Sequence, residues 1–266
     1  MILEELYIYP IKSTHRVTQI RAEVKPWGLA GDRRWMIVDD EANFLTQRTI
    51  PHMSLIQAVP QPGEKVMLSA FGQESIFVDV PGETAPILQV SIWRDSVFAR
   101  VASDQVNMWL STFLGRTVRL VHMYDTNSRL TDPTYAKPGT TISFVDGYPL
   151  LCTTKASLLD LNRKLSSPIP MGRFRPNVVV SGDRPFGEDS WKRIQIGGII
   201  FSVVKPCTRC TITTVDQDTA LRGKEPLRTL SSFRKRDGKV YFGENLVPES
   251  TGVIQRGDCV EVLEFD

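Results

Sequence analysis

Short β-prone runs closed by turn residues recur through the first ~100 residues, and that rhythm restricts the chain to strand-rich folds. "LYIYPI" is closed by Pro10, and "RRWMIVDDEANFLTQR" reads as two strands around a polar "DDEAN" turn. "KVMLSAFGQESIFVDV" folds back around Gly72, and "VSIWRDSVFARV" around Arg94-Asp95. Helical periodicity first enters in "SDQVNMWLSTFLG". There Val106, Trp109, Leu110 and Phe113 share a face, between an N-cap at Ser103 and a left-handed stop at Gly115. A boundary is placed after this helix, near residue 118.

The second half opens with the strand "TVRLVHMY" and a polar loop at about 125–138. A second helix fits "TKASLLDLNRKL", capped by Thr154, with Leu158, Leu161 and Leu165 on one face. "NVVVSG" and "IQIGGIIFSVV" read as buried strands. A weaker third helix fits "EPLRTLSSFRKR", and "GVIQRGDCVEVLEF" reads as a turn and a final strand. The expected fold is mainly β (α+β). Residues 1–118 form a barrel-like unit, residues 119–266 a second strand-rich barrel, and a few helices are appended.

Length and charge narrow the function. The 266 residues suffice for one large domain or two small ones. A formal net charge of +2 does not mark a nucleic-acid binder. "ILEELYIYPI" lacks the features of a secretory signal, and the longest apolar runs, such as "GGIIFSVV", are strand-sized, so no membrane span is expected. Four cysteines do not make a disulfide scaffold in a chain this long, and a reduced, cytoplasmic protein is expected.

Two of those cysteines lie in "KPCTRCTITTVD". A structural zinc site needs further paired ligands, yet Cys152 and Cys259 stand alone and His15, His52 and His122 are scattered. A redox dithiol needs a helix after the pair, and the β-branched "TITTV" reads as a strand. Packing of Cys207 and Cys210 as small hydrophobes stays open. Lys205 and Arg209 bracket the thiols, which favours a thiolate suited to a soft metal.

Cations also sit at strand ends elsewhere. "YPIKST" carries Lys12 and Ser13; "GLAGDRRW" carries Arg33 and Arg34; "GRFRPNVVV" carries Arg173, Arg175 and Asn177. Each alone reads as a solvated charge. Together they comprise a point charge, bidentate guanidiniums, a hydroxyl and an amide, which is what a phosphate requires.

"YPIKS", "GDRRWMIV", "FRPNVVVSG", "EDSW", "KPCTRCTITTVD", "KEPLRTL" and "FGENL", in this order, resemble the MOSC proteins that bind molybdenum cofactor and carry an N-terminal β-barrel domain. That family includes the mitochondrial amidoxime-reducing component and bacterial proteins that detoxify N-hydroxylated bases. The resemblance spans nearly the whole chain. It implies that Cys210 ligates molybdenum and that Cys207 does not. It further implies that Lys12, Ser13, Arg33, Arg175 and Asn177 hold the phosphate end of the pterin (molybdopterin), with Arg209 beside it. Asp146 is expected near the metal as a proton relay. Thr153 and Thr154 are weaker cofactor candidates, since either can simply cap the following helix. The implied reaction reduces N-hydroxylated compounds, such as hydroxylaminopurines, amidoximes and hydroxylamines, to the amines.

Electrons are then expected from an external donor of the ferredoxin or flavoprotein reductase type, or from a fused ferredoxin domain missing from this chain. The chain stops at "VEVLEFD", and lone Cys259 cannot build an iron–sulfur cluster. The alternative is a cofactor or sulfur carrier of the MOSC sulfurase type, although no domain of the pyridoxal-phosphate-binding kind is recognised here.

Overall fold

The computed structural model describes residues 1–62, 65–124 and 129–266. Its largest sheet runs in the order Val17–Gln19, Leu3–Ile8, Val178–Val180, Leu150–Thr154, Lys239–Pro248, Ile199–Thr208, Trp191–Ile196 and Val260–Phe265. The two ends of this sheet meet. Ile2 bridges Cys259, and the Val260 amide donates to the Met1 carbonyl at 2.8 Å, so the sheet curls into a barrel. Side chains alternate as a pleated strand requires. Leu6 and Ile8 face the interior with Cys152, Val178, Val180, Ile194 and Phe201. Tyr7 and Tyr9 face outward, under Phe174, Leu161 and Phe242.

The first half builds a second body. Trp35–Val38, Arg119–His122, Asp95–Val101 and Ile87–Ile92 form one antiparallel sheet, and Gln57–Pro60, Val66–Ala70 and Gln73–Val78 another. In the first sheet, strands Trp35–Val38 and Arg119–His122 are buried on both faces, while Ile87–Ile92 and Asp95–Val101 expose one face. Trp35, Ile37 and Leu120 pack toward Leu68, Val78 and Leu110, while Met36, Val38 and Val121 pack toward Val90, Ala99 and Phe144.

The three expected helices form as Asp104–Leu114, Lys155–Asn162 and Leu227–Phe233. The Ser103 hydroxyl accepts from the Val106 amide, Gly115 takes the left-handed conformation, and the Thr154 hydroxyl accepts from the Ser157 amide. None of the described helices is long and apolar enough to cross a membrane.

Four segments depart from the sequence reading. The return leg after "DDEAN" is not a regular strand. Asp39 closes a tight turn onto the Glu41 and Asn43 amides, and the chain then divides its bridges between Val38 and Ser91. "IQIGGIIFSVV" is a hairpin around Gly197-Gly198, and its second strand is largely half-buried. "TITTV" forms a tight helical turn at Thr211–Thr214, because the Thr213 and Thr214 hydroxyls bond back to the Cys210 and Thr211 carbonyls. The strand Arg119–His122 pairs with Trp35–Val38 and Asp95–Val101 of the first half, while Leu3–Ile8 pairs with Val178–Val180 of the second. Positions 125–128 of the expected polar loop lie outside the described residues.

Candidate functional site

One cavity of about 390 Å³ draws its walls from both halves of the chain. Cys207, Arg209 and Cys210 enter from the end of strand Ile199–Thr208; Lys12 and Ser13 follow strand Leu3–Ile8; Arg175 and Asn177 precede strand Val178–Val180. Arg33 and Asp146 complete the set. These are the strand-end residues picked out above, brought to one place.

Sterically unusual backbone marks the same place. Among the described residues with a side chain and a positive φ, Ser13 (66°), Arg33 (47°), Trp93 (57°) and Arg175 (56°) all line the cavity. A left-handed conformation costs a bulky residue free energy and tends to persist where a ligand clamp requires it.

The guanidiniums are tightly arranged. Arg33 and Arg175 each stack on the Tyr9 ring, 4.1 Å from its centroid. Arg33 donates to Asp32 at 2.7 Å and to the Asn177 side-chain oxygen at 3.2 Å. The Asn177 amide group then donates to the Tyr7 carbonyl, so it ties two strands as well as lining the cavity. Arg175 donates to the Thr14 carbonyl at 2.6 Å and to Gln217 at 3.2 Å, and its Nη2 has no partner. Burial pulls the Arg175 pKa down to about 10. Arg209 donates to the Cys207 sulfur at 2.8 Å and to the Phe174 carbonyl, and its Nε has no partner.

Lys12 is buried and donates to the Phe144 carbonyl and to Asp146. Burial lowers its pKa to about 8, against the attraction of Asp146. The Asp146 side chain is 59% exposed; partial desolvation by its neighbours pushes the carboxyl up, but Lys12 and Arg48 outweigh it and hold the group well below the ordinary carboxylate range. Asp146 is therefore ionised at neutral pH. It fits the role of hydrogen-bond or proton acceptor and not that of a resting acid, which revises the relay expectation.

Both cysteines are half-buried. Desolvation within the cavity pushes the Cys207 thiol up even with Arg209 beside it. Cys210 sits half-buried at the lip of the turn Thr211–Thr214. Lys205 lines the same cavity, with its ammonium 3.8 Å from the Tyr135 ring centroid. Among the described residues, no three His, Cys, Asp or Glu side chains converge on a common point.

Thr153 and Thr154 are not brought to the cavity. The Thr153 hydroxyl lies against the Met171 sulfur, and the Thr154 hydroxyl caps its helix and bonds Glu188. Arg173 also points away, toward the Thr213 carbonyl and Asp216. The sequence reading passed over several wall residues, among them Arg48, Trp93, Tyr148 and Asn245. Arg48 and Trp93 lie in turns of the first half, where nothing in the sequence pattern distinguishes them from solvated residues.

Residues 1–117 match the MOSC N-terminal beta barrel domain and residues 139–261 the MOSC domain. The chain is 34% identical to mitochondrial amidoxime-reducing component 1 of Mus musculus, over 97% of this chain and 81% of that protein. It is 32% identical to molybdenum cofactor sulfurase of Homo sapiens, over 94% of this chain but 30% of that protein. The YuaD protein from Bacillus subtilis superposes with a TM-score of 0.44 at 12% identity, covering 97% of this chain and 93% of that one.

Proposed function

Because the chain belongs to the MOSC family, with the N-terminal beta barrel domain ahead of the MOSC domain, we propose that it is a molybdenum-cofactor-dependent reductase of N-hydroxylated compounds. The observation that carries this reading is the convergence of Cys210 with Lys12, Ser13, Arg33, Arg175, Asn177 and Arg209 on one cavity. Relatives named for amidoxime reduction, matched over most of their length, support it.

The residues present fit the cofactor. Buried guanidinium atoms of Arg175 and Arg209 lack partners, as they would if an anion were to satisfy them. Cys210 would supply one sulfur to the metal, with the remaining ligands coming from outside the chain. Lys12, Ser13, Arg33, Arg175 and Asn177 would hold the phosphate, and Arg209 the adjoining pterin. When bound, the group supplies two-electron oxygen-transfer chemistry.

The chain's own residues do the rest. The cations neutralise and orient the anionic end, each charge-assisted bond contributing roughly 1.5–3 kcal/mol. Arg209 fixes Cys207 as a hydrogen-bonded neighbour, and Cys207 and Cys210 both line the cavity. Asp146, ionised and salt-bridged to Lys12, accepts a hydrogen bond from the N–OH or amine edge of the substrate. A hydroxylamine R–NHOH takes up two electrons and two protons and leaves as R–NH2 and water. The electrons come from an external ferredoxin or flavoprotein reductase, or from a ferredoxin domain fused to a longer chain.

Two units meeting near residue 118 remain part of the proposal, with Leu3–Ile8 and Arg119–His122 exchanged across the junction. The unpaired Cys207 and Cys210 suit a reducing, cytoplasmic setting. The carrier reading is weaker, since the chain spans only 30% of the sulfurase it matches. The test is reduction of a hydroxylaminopurine by protein from a cofactor-competent host, driven by a strong artificial donor. No turnover by molybdenum-replete protein would reject the reading.

A further inference from the structure

The cavity mouth holds a group of side chains that cofactor binding does not call for. Trp93 stands at the tip of the hairpin between strands Ile87–Ile92 and Asp95–Val101, 47% exposed and with left-handed backbone. The guanidinium of Arg48 lies over its indole, 4.6 Å from the ring centroid. Phe44 packs against the ring in a tilted arrangement, with centroids 4.8 Å apart and planes at 57°. The indole N–H donates to Asp146 at 3.3 Å, and Arg48 Nη2 stands 3.5 Å from the other oxygen of that carboxylate. Arg48 Nη1 has no partner.

Other contacts fix this group in place. Arg222 donates to the Arg48 carbonyl. Arg129 donates to Asp95 at 2.7 Å, two residues past Trp93, and to the Val145 carbonyl at 2.6 Å, one residue before Asp146. The hairpin tip and the Asp146 loop are thus clamped together by one buried arginine.

A platform built this way selects for shape and for hydrogen-bonding pattern. A planar conjugated group stacks on indole and guanidinium faces, and a small tetrahedral molecule does not. Asp146 accepts and Arg48 donates along one edge, which matches the paired donor and acceptor of an N-hydroxyamidine.

We propose that Trp93 and Arg48 form the substrate platform, selecting flat N-hydroxyamidines and N-hydroxylated heteroaromatic bases over small hydroxylamines. This rests on the reductase reading for the reaction, but the binding it describes does not require turnover.

The test compares cofactor-loaded wild type with Trp93→Ala and Trp93→Phe. Benzamidoxime is titrated calorimetrically without electron donor, and kcat and KM are measured for benzamidoxime and N-methylhydroxylamine. Trp93→Ala should weaken benzamidoxime binding and raise its KM about tenfold, with kcat within twofold. Trp93→Phe should restore most of the loss, and N-methylhydroxylamine kinetics should not move. Unchanged benzamidoxime binding in Trp93→Ala, or equal losses for both substrates, would overturn the platform. Wild type that binds benzamidoxime through Trp93 yet reduces neither compound would reject the reductase reading and leave the platform standing.

Discussion

Replacing Arg175 with methionine separates ligand binding from folding. In the cofactor-free protein the Arg175 charge is costly, since burial lowers its pKa from 12.5 to about 10. At about 1.4 kcal/mol per pKa unit this is roughly 3 kcal/mol held against the charged form. Methionine relieves that cost and occupies similar space over Tyr9. It also leaves the Thr14 carbonyl unpaired, at about 1–3 kcal/mol, while the Gln217 side-chain oxygen keeps its bond from Gln47. The opposing terms nearly cancel, so the cofactor-free variant should unfold within about 2 kcal/mol of wild type. Cofactor retention should not be spared. Loss of a charge-assisted bond of about 1.5–3 kcal/mol weakens it roughly ten- to a hundred-fold. Denaturant unfolding reads the first quantity, and pterin fluorescence after a fixed dialysis reads the second. Unchanged pterin retention together with a loss of stability above about 4 kcal/mol would refute the reasoning and make Arg175 a structural residue.

Further outcomes follow from other positions. Glu244 is buried, and burial, with Asp189 and Glu188 nearby, raises its pKa to about 9. Its raised folded-state pKa means the fold holds a proton that the unfolded chain releases. Stability should therefore fall as pH rises from 4.5 to about 9, by up to about 1.4 kcal/mol per pH unit from this group. Glu244→Gln should flatten that slope in urea titrations, and an unaltered slope would contradict the assignment. Gly243 has φ 78°, and a Cβ there would lie 2.5 Å from the Cys152 carbonyl oxygen, so Gly243→Ala should cost at least about 2 kcal/mol in denaturant unfolding. Arg129→Met should leave molybdenum content intact while raising KM for benzamidoxime several-fold, because it releases the hairpin tip from the Asp146 loop.

Local pattern carried the helices and most hairpins, because caps, turn residues and periodicity are short-range properties. Ser103, Gly115 and Thr154 each perform the capping role that their type and position suggest. Cations at the strand ends were legible as residue types, but their convergence depends on barrel closure, which joins Met1–Leu3 to residues 257–260. Arg33 and Arg34 are neighbours in sequence, yet only Arg33 lines the cavity; its left-handed backbone goes with that placement. The "TITTV" turn was misread because β-branched residues favour strands unless their hydroxyls bond back to the preceding carbonyls, as Thr213 and Thr214 do. Thr153 and Thr154 could not be placed, since which way a hydroxyl turns at a strand-to-helix junction depends on partners such as Met171 and Glu188. Arg48 and Trp93 were invisible because turn residues show their partners only once the two halves meet.

The most direct measurement is molybdenum and pterin content per chain in protein made by a cofactor-competent host, for wild type, Cys207→Ser and Cys210→Ser. Wild type and Cys207→Ser should each carry close to one molybdenum and one pterin, while Cys210→Ser loses the metal and the reductase activity with it. Equal molybdenum and full turnover in Cys210→Ser would contradict the account.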